Sequence, residues 1–455
     1  MPTAYTILFL LLILVAAATW IIPAGSYDYV DGVPVAGTYH TVEQNPQGVG
    51  DVLKAAFSGF YDAVDVCIFI LMVGGFLGVV MKTGAVDAGV GNVIRLLGGR
   101  EKWLIPILML LFGLGGTTYG MWEETMAFFP LLLPVFLAAG YDAVVGISVI
   151  LLGAGAGVIA STVNPFATGI AAGFAGVSLG EGIVLRLLEW VAFEAAAIWF
   201  VMAYAAKVKK NPSKSVVGVG AGKIQVSMDQ QVPFTAKRKV IMALFTLTFL
   251  IMVYAVVPFD EMGLSLPALG WWFPELSALF LVAGVVIGLI DRMSEEELVE
   301  TYVAGCADLL GVAFIIGISR GITVLMNDGA ITDTVLHWGE QALSGAGAIS
   351  FTLLVFALYL PLTILIPSSS GLATLSIPIV APLGKFAGVG GDLVVTAFQS
   401  ASGLVNIITP TAAVVMGALA LGHVPYDRWV KYVWKLILWF LLLALAFLVA
   451  GVLLG

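Results

Sequence analysis

Long apolar runs separated by short polar breaks dominate this chain of 455 residues. Many of the runs reach about 18 residues, the length that an α-helix needs to cross the hydrocarbon core of a bilayer. The pattern therefore predicts an all-α polytopic membrane protein with roughly ten to twelve membrane segments. The first run, "TILFLLLILVAAATWIIP", lacks the basic start and the small-residue cleavage site of a secretory signal, so we expect it to remain as a membrane helix.

The composition agrees with this class of protein. Charged residues make up 11% of the chain and hydrophobic residues 60%, with a mean hydropathy of +1.05, whereas soluble domains carry roughly 25% charged residues. Cys67 and Cys306 lie in apolar runs and predict no disulfide framework, and the three histidines are too scattered to predict a metal site. The sequence contains no nucleotide-binding motif or catalytic constellation, so we expect neither an enzyme, nor a bound cofactor, nor a nucleic-acid partner.

A basic segment divides the chain into two halves. Residues 207–239 contain eight of the 20 Lys and Arg residues and one Asp, and basic loops stay in the cytoplasm. The loop at 26–48 contains no Lys or Arg, so we expect it to be external, with a cytoplasmic N-terminus and a multi-pass chain in the cell membrane. The predicted domains are a first membrane half at 1–206, a cytoplasmic linker at 207–239 and a second membrane half at 240–455.

The two halves contain related segments, a first repeat at about 59–206 and a second at about 305–455. The matched pairs are Gly59 with Gly305 and Asp62 with Asp308, both 246 positions apart, and Pro130 with Pro378 and Pro134 with Pro382, both 248 apart. Residues 82–102 contain four Lys and Arg, whereas the matching residues 327–347 contain none. This asymmetry predicts that the repeats are inverted, an arrangement common in secondary transporters.

Each half contains two polar interruptions rich in Gly, Ser and Thr. "GGTTYGMWEET" and "IPSSSGLATLSIP" each precede a P-x-x-x-P segment, and "STVNPFATG" and "NIITPTAAVVMG" follow. Since unpaired backbone groups cost several kcal/mol in hydrocarbon, we expect the first pair to form re-entrant hairpins and the second pair to break helices around one binding site. A proline kink packed by small residues is the alternative. The predicted site residues are Thr118, Glu123, Glu124, Asn164, Arg320, Ser368, Ser369, Ser370, Asn406 and Thr409.

Charged residues in apolar runs suggest more specific roles. Glu123 is predicted to cap a half-helix that has Gly120 at its N-cap, and Glu124 is predicted to face a cation. Arg320 either pairs with a substrate carboxylate or forms an internal ion pair with Asp308 or a Glu. Arg186, Glu189 and Glu194, which lie on one predicted helix, are interpreted as structural or as lying near the membrane interface.

Three segments, "GMWEETMAFFPLLLPVFLAAGYD", "ISRGITVLMNDGAITDTVLH" and "STVNPFATGIAAG", resemble the YfcC-like group of the anaerobic dicarboxylate carrier (DcuC) family, within the ion transporter superfamily. The resemblance implies a homodimer, with a scaffold part and a transport part in each subunit and an elevator-like movement. It also implies carriage of dicarboxylates or exchange of arginine and ornithine. The Ser-Asn-Thr signatures of the dicarboxylate relatives are replaced here by "STVNP" and "NIITPT".

These observations together predict a secondary active transporter, a symporter or an exchanger, of a small carboxylate-bearing metabolite. The favoured substrate is an amino acid, basic amino acids included, because one hairpin tip is acidic and the other offers hydroxyl and N–H donors. The alternative is a four-carbon dicarboxylate carrier coupled to Na⁺ or H⁺. A channel and an intramembrane enzyme are remote alternatives, and the coupling ion and any bound metal stay open.

The charge asymmetry yields a testable topology. We expect residues 83–102 and 207–239 to be cytoplasmic and residues 26–48 and 328–346 to be external. In intact cells, an Arg95→Cys variant should react with an impermeant maleimide only after the membrane has been opened. Labelling of this cysteine from the outside of intact cells would contradict the topology.

Overall fold

The computed structural model describes residues 4–30, 33–86, 88–89, 100–178, 180–218, 233–256, 266–267, 269–271 and 273–454. Within these residues the chain is predominantly helical, which confirms the predicted all-α class. Residues 90–99 and 219–232, which carry part of the predicted cytoplasmic charge, lie outside the described residues.

The α-helices before the linker are α1 Ala4–Ala18, α2 Val49–Asp62, α3 Val64–Lys82, α4 Leu104–Tyr119, α5 Phe129–Ala138, α6 Ala143–Ile159, α7 Ile170–Ala175 and α8 Ile183–Lys210. Those after it are α9 Ala236–Val256, α10 Phe273–Asp291, α11 Glu295–Asp328, α12 Thr332–Leu343, α13 Ala348–Leu365, α14 Ser369–Phe386, α15 Gly391–Asn406, α16 Ala413–Leu421 and α17 Tyr426–Leu454. Short 3₁₀ turns span Glu101–Trp103, Glu123–Phe128 and Pro212–Lys214, and a π turn spans Pro165–Gly169.

Among the described helices, four are long and apolar enough to cross a membrane, namely α10, α11, α13 and α17. A bent pair, α2 with Cys67–Lys82 of α3, makes a fifth at an angle of 67°. This number is below the ten to twelve segments predicted. The main reason is that polar breaks divide several apolar runs into shorter helices, such as α4 with 16 residues and α5 with 10.

Two small antiparallel ladders lie in the loop that follows α1. Strand β1 (Gly25–Ser26) pairs with β4 (His40–Thr41), and β2 (Tyr29–Val30) pairs with β3 (Val33–Pro34). The hydroxyl of Tyr27 donates to Glu340 at 2.8 Å and that of Tyr29 donates to Asp333 at 2.8 Å, which fixes the loop on α12. Burial at this contact raises the pKa of Tyr27 and of Tyr29.

The same order of elements occurs in both halves. Helix α4, a break, α5, α6, a second break, α7 and α8 follow one another in the first half, and α13 to α17 follow the same order in the second. The breaks fall where the sequence predicts them, because α6 ends at Ile159 before Asn164 and α15 ends at Asn406 before Thr409. The inversion of one half relative to the other and the membrane side of each loop stay predictions.

Glycines bring the backbones of α11 and the α2–α3 pair into contact. A Cβ on Gly59 would overlap the carbonyl oxygen of Gly317, and a Cβ on Gly305 would overlap that of Gly74. The residue numbers rise on one helix as they fall on the other, so the helices run antiparallel. At this interface Cys67 Sγ donates to the carbonyl oxygen of Ala313 at 3.5 Å, 246 positions away. That separation equals the repeat offset, so this pair of matched positions marks the point about which the two antiparallel segments pair.

Helices α6 and α15 form a second antiparallel contact between the halves. Every residue of α6 is buried. A Cβ on Gly155 would overlap the side chain of Ile407, and a Cβ on Gly403 would press on the backbone of Ile159. These two matched helices therefore lie with their C-terminal ends side by side. The contact brings the two breaks close together in the interior.

The close approach at Gly305 leads to a stability prediction. Gly305→Ala should lower the free energy of unfolding by about 1–3 kcal/mol, because the added methyl group meets backbone that cannot move aside. Gly50→Ala is the matched control, since a Cβ at Gly50 meets no atom within 4 Å. Thermal unfolding in detergent, followed by tryptophan fluorescence, measures both variants. Equal melting temperatures for the two would contradict the packing.

Candidate functional site

Two adjoining cavities lie where the two predicted hairpin tips, which are the α4–α5 and α13–α14 connections, meet α11 and the breaks after α6 and α15. Their volumes are about 50 Å³ and about 110 Å³. The residues that line both are Trp122, Glu123, Arg320, Ser369 and Asn406. The larger cavity is also lined by Glu124, Asn164, Ser368 and Ser370. The structure thus gathers eight of the ten predicted site residues around one interior space, and their binding role stays a prediction.

The first tip, between α4 and α5, differs from the prediction in its capping. Gly120 adopts a left-handed conformation with φ of 79° and ends α4, and it does not begin the following helix. A Cβ there would also lie 2.5 Å from Asn164 Nδ2. Both the backbone conformation and the lack of space therefore favour glycine at this position. The chain then enters the 3₁₀ turn Glu123–Phe128, which has Trp122 at its N-cap.

The cap predicted for this tip is wrong, whereas the cation-facing role predicted for Glu124 stays a prediction. Glu124 is only 5% exposed, and its Oε2 accepts the backbone N–H of Trp122 at 3.1 Å. Glu123 is partly exposed and lines both cavities. Glu124 therefore accepts the N–H at the N-cap of the turn and also lines the larger cavity. The predicted cap differs because the left-handed Gly120 ends α4, so that the turn begins after Trp122.

The second tip, between α13 and α14, is rich in hydrogen-bond donors. Ser368 is the N-cap of α14 and accepts the backbone N–H of Gly371 at 3.2 Å. Its Oγ lies 3.4 Å from Ser370 Oγ. Helix α14 has 18 residues and no acidic residue in its first turn. Its N-terminus therefore presents positive dipole and hydroxyl groups to the larger cavity.

The break after α6 is closed by the first hairpin and by α15. Thr117 Oγ1 donates to the carbonyl oxygen of Ala160 at 2.8 Å, and the N–H of Thr162 donates to the carbonyl oxygen of Thr117 at 2.8 Å. Gln399 Nε2 donates to the carbonyl oxygen of Val158 at 2.6 Å. Thr118, which we predicted as a site residue, instead bonds back to the carbonyl oxygen of Leu114 on its own helix and lines neither cavity.

The break after α15 is closed by α17. Trp429 Nε1 donates to the carbonyl oxygen of Ile407 at 3.1 Å. The hydroxyl of Tyr426 donates to the carbonyl oxygen of Ile408 at 2.8 Å. These bonds satisfy carbonyl groups that the end of the helix leaves free.

The predicted break residues have different surroundings. Asn164 is buried, and its Oδ1 accepts the N–H of Ala167 at 3.3 Å. Asn406 is 4% exposed and lines both cavities, and its Oδ1 has no hydrogen-bond partner among the described residues. Thr409 lines neither cavity, because its Oγ1 turns to Thr411 Oγ1 at 2.9 Å. Thr411 lines the smaller cavity in its place.

Arg320 reaches both cavities from α11. Its Nε lies 3.8 Å from Asp62 Oδ2, and Asp308 is not the partner. The reason is the antiparallel packing, which sets the backbone of Arg320 against Gly59 of α2, three residues before Asp62. The Asp62 side chain is 53% exposed, and exposed ion pairs contribute little. Arg320 therefore brings a guanidinium group to the lining of both cavities, with Asp62 as an exposed partner and Glu123 within electrostatic range.

Sequence reasoning missed Trp122. This residue is 8% exposed and lines both cavities beside Glu123. An indole face next to a carboxylate suits a cationic group. The signal was present, because a large aromatic residue stands inside a polar interruption. In the described part of the chain no group of three or more His, Cys, Asp or Glu is placed to hold a metal ion.

Comparisons with known proteins agree over the full length. The model of the DcuC family, described as C4-dicarboxylate anaerobic carrier, matches residues 1–453. An uncharacterized protein of Haemophilus influenzae is 35% identical over 99% of this chain and 97% of its own length. The putative basic amino acid antiporter YfcC of Escherichia coli is 31% identical over 95% and 92%.

Two solved structures are more distant. The YdaH transporter of Alcanivorax borkumensis has a TM-score of 0.44 and 14% identity, covering 98% of each chain. MtrF of Neisseria gonorrhoeae, from a class of antimetabolite efflux pumps, has a TM-score of 0.45 and 17% identity, covering 98% of this chain and 94% of its own.

The capping role of Glu124 leads to a prediction. Glu124→Ala should lower the free energy of unfolding by about 1–3 kcal/mol, because the buried N–H of Trp122 loses its acceptor. Glu124→Gln keeps an acceptor oxygen and should cost less. Thr118→Ala is the control and should stay within about 0.5 kcal/mol of the parent. Thermal unfolding measures all three, and a Glu124→Ala variant as stable as the control would exclude the cap.

Proposed function

Since the chain belongs to the DcuC family of C4-dicarboxylate anaerobic carriers, we propose that it is a secondary active transporter of a small carboxylate-bearing metabolite. The favoured substrate is an amino acid with a basic side chain, moved by exchange or with a coupled ion. The protein would act as a homodimer in the cell membrane. The named relatives are transporters, so an enzymatic function is not proposed.

The presence of unlike charges around one cavity is the observation that carries this proposal. Glu123 and Trp122, from the first tip, line the cavity and would bind an ammonium or guanidinium group. Arg320 of α11 and Ser369, at the N-terminus of α14, line the same cavity and would hold a carboxylate. An amino acid carries both groups, so it would pair with both kinds of lining residue at once.

The description of one relative supports the same choice. YfcC of Escherichia coli is named as a putative basic amino acid antiporter. The family description favours a second candidate, a four-carbon dicarboxylate. Such a substrate would use Arg320 and the serine tip, and Glu123 would then hold the coupled Na⁺ or H⁺.

The antiparallel contacts support alternating access by inverted repeats. Matched helices meet antiparallel at two places, α11 against α3 and α6 against α15, as an internal two-fold axis in the membrane plane would require. With the site between the repeats, a movement of one part against the other would open the cavity to each side in turn.

A binding experiment separates the two substrate classes. Isothermal titration of the purified protein with L-arginine, L-ornithine and succinate should show binding of a basic amino acid. Glu123→Gln should weaken that binding at least tenfold, which corresponds to about 1.4 kcal/mol, because the cationic end loses its partner. Glu300→Gln removes the same charge from an exposed position of α11 and is the matched control.

Two outcomes would overturn the amino-acid proposal. One is binding of succinate alone, and the other is a Glu123→Gln variant that binds the amino acid as the parent does. Saturable counterflow of labelled substrate in proteoliposomes would then separate a carrier from a channel.

A further inference from the structure

Helix α8 buries three ionisable side chains, for which the sequence predicts a structural role. Arg186, Glu189 and Glu194 are exposed by 1%, 0% and 2%. Arg186 donates to the carbonyl oxygen of Glu181 at 2.9 Å, and Glu189 Oε1 accepts from Ser400 Oγ at 2.8 Å. These two side chains are therefore fixed by neighbours, and Glu194 differs from both.

The carboxyl group of Glu194 stands without polar partners. Neither of its oxygens has a hydrogen-bond partner among the described residues, and no cationic side chain of that part forms an ion pair with it. The adjacent Phe193 ring lies 4.7 Å from that of Phe440, near the middle of α17, which is long and apolar enough to cross a membrane. A buried carboxylate with no partner in such apolar surroundings is costly, so the arrangement suits the protonated acid.

The first hairpin forms the wall opposite Glu194. A Cβ on Gly113 of α4 would overlap Glu194 Oε2, so the carboxyl group lies against bare backbone. A Cβ on Gly157 of α6 would overlap the carbonyl oxygen of the same Gly113. Three helices therefore meet here, and one of them is the arm that leads to the tip with Glu123.

The repeated architecture does not require an acid at this place. Helix α17 occupies the same place in the second half as α8 does in the first. Its residues 437–448 are all apolar. A fold that needs only packing would be expected to have an apolar residue in both copies. Glu194 therefore departs from the repeat, and no described side chain forms a hydrogen bond or an ion pair with its carboxyl group.

Few other charges lie near this carboxyl. Helices α4 and α6 contain no Asp, Glu, Lys, Arg or His. On α8 itself the nearest ionisable groups are Glu189 and Arg186, and α15 contributes Asp392 in its first turn, beside Gly182. The charged residues of α17 lie within its first ten positions, where Tyr432 contacts Tyr204 of α8. They are Asp427, Arg428, Lys431 and Lys435.

We propose that Glu194 is the proton-binding residue of the transport cycle. The proton sits on the carboxyl while α4 packs on α8, and it leaves to water when α4 separates from α8 and the group becomes hydrated. Proton occupancy would then favour the packed hairpin, and by reciprocity a substrate that favours this hairpin would tighten proton binding. The coupling rests on the proposed transport function, whereas the proton site itself is tested without substrate.

The site is tested first by chemical labelling of the full-length protein in detergent. Dicyclohexylcarbodiimide reacts with protonated carboxyls in apolar surroundings, and mass spectrometry identifies the modified peptide. We expect modification at Glu194 that falls as the pH rises, and loss of at least about tenfold of the modified peptide in Glu194→Gln. Glu194→Asp keeps a carboxyl and should restore labelling. Absence of labelling at Glu194 at every pH would overturn the proposal, whether or not any substrate is transported.

Transport measurements test the coupling. Proteoliposomes with an internal pH-sensitive dye are given L-arginine, L-ornithine or succinate. The parent should change the internal pH with substrate, whereas Glu194→Gln, which mimics the protonated acid, should bind the substrate with the affinity of the protonated parent at every pH and lose the pH change. A Glu194→Gln variant that moves protons like the parent would overturn the proposal. If Glu194 is labelled but none of the three compounds is transported, the proton site stands and the proposed transport function is rejected.

Discussion

The backbone groups freed at the helix breaks set the constraint on which the rest of the structure depends. A bilayer core offers them no water, so protein groups must bond each of them. The carbonyl oxygen of Ala160, after α6, is bonded by Thr117 of the first hairpin, and that of Ile407, after α15, by Trp429 of α17. Each break is thus closed by a side chain from another element. The broken helices are stable only in this assembly, and the two breaks are held side by side.

This requirement separates the residues that build the site from those that line it. Thr117 and Trp429 close the breaks, whereas Glu123 and Asn406 face the cavity. The glycines have a matching role, because Gly155 and Gly403 allow α6 and α15 to approach until their ends overlap. A polar residue near a break therefore has two possible roles, and its neighbours in space decide between them.

The sequence was sufficient to predict the helical class, the positions of the breaks and most of the residues around the cavity. Interruptions of Gly, Ser and Thr in apolar runs indicate broken helices, because a membrane tolerates such backbone only where protein surrounds it. It was not sufficient for roles that depend on a dihedral angle or on packing. Glu124 rather than Glu123 accepts the N–H at the N-cap, which is Trp122, because the left-handed Gly120 ends the preceding helix. The partner of Arg320 is Asp62, since the helix register between halves cannot be read from repeat offsets.

The charged residues of the interior occur where the two halves differ. The position that matches Arg320 is Gly75, and a Cβ there would overlap the ring of Tyr302, so the first half has no space for a side chain where the second half has a cation. In the same way, one hairpin tip carries Glu123 and the other carries serines. The repeat arranges matched helices antiparallel to each other. A cavity lined by identical residues from both repeats would present the same charge on both sides. Under the proposed function, a substrate with two unlike ends would be bound by the residues that break the repeat, so these residues are the first to substitute in a test of that function.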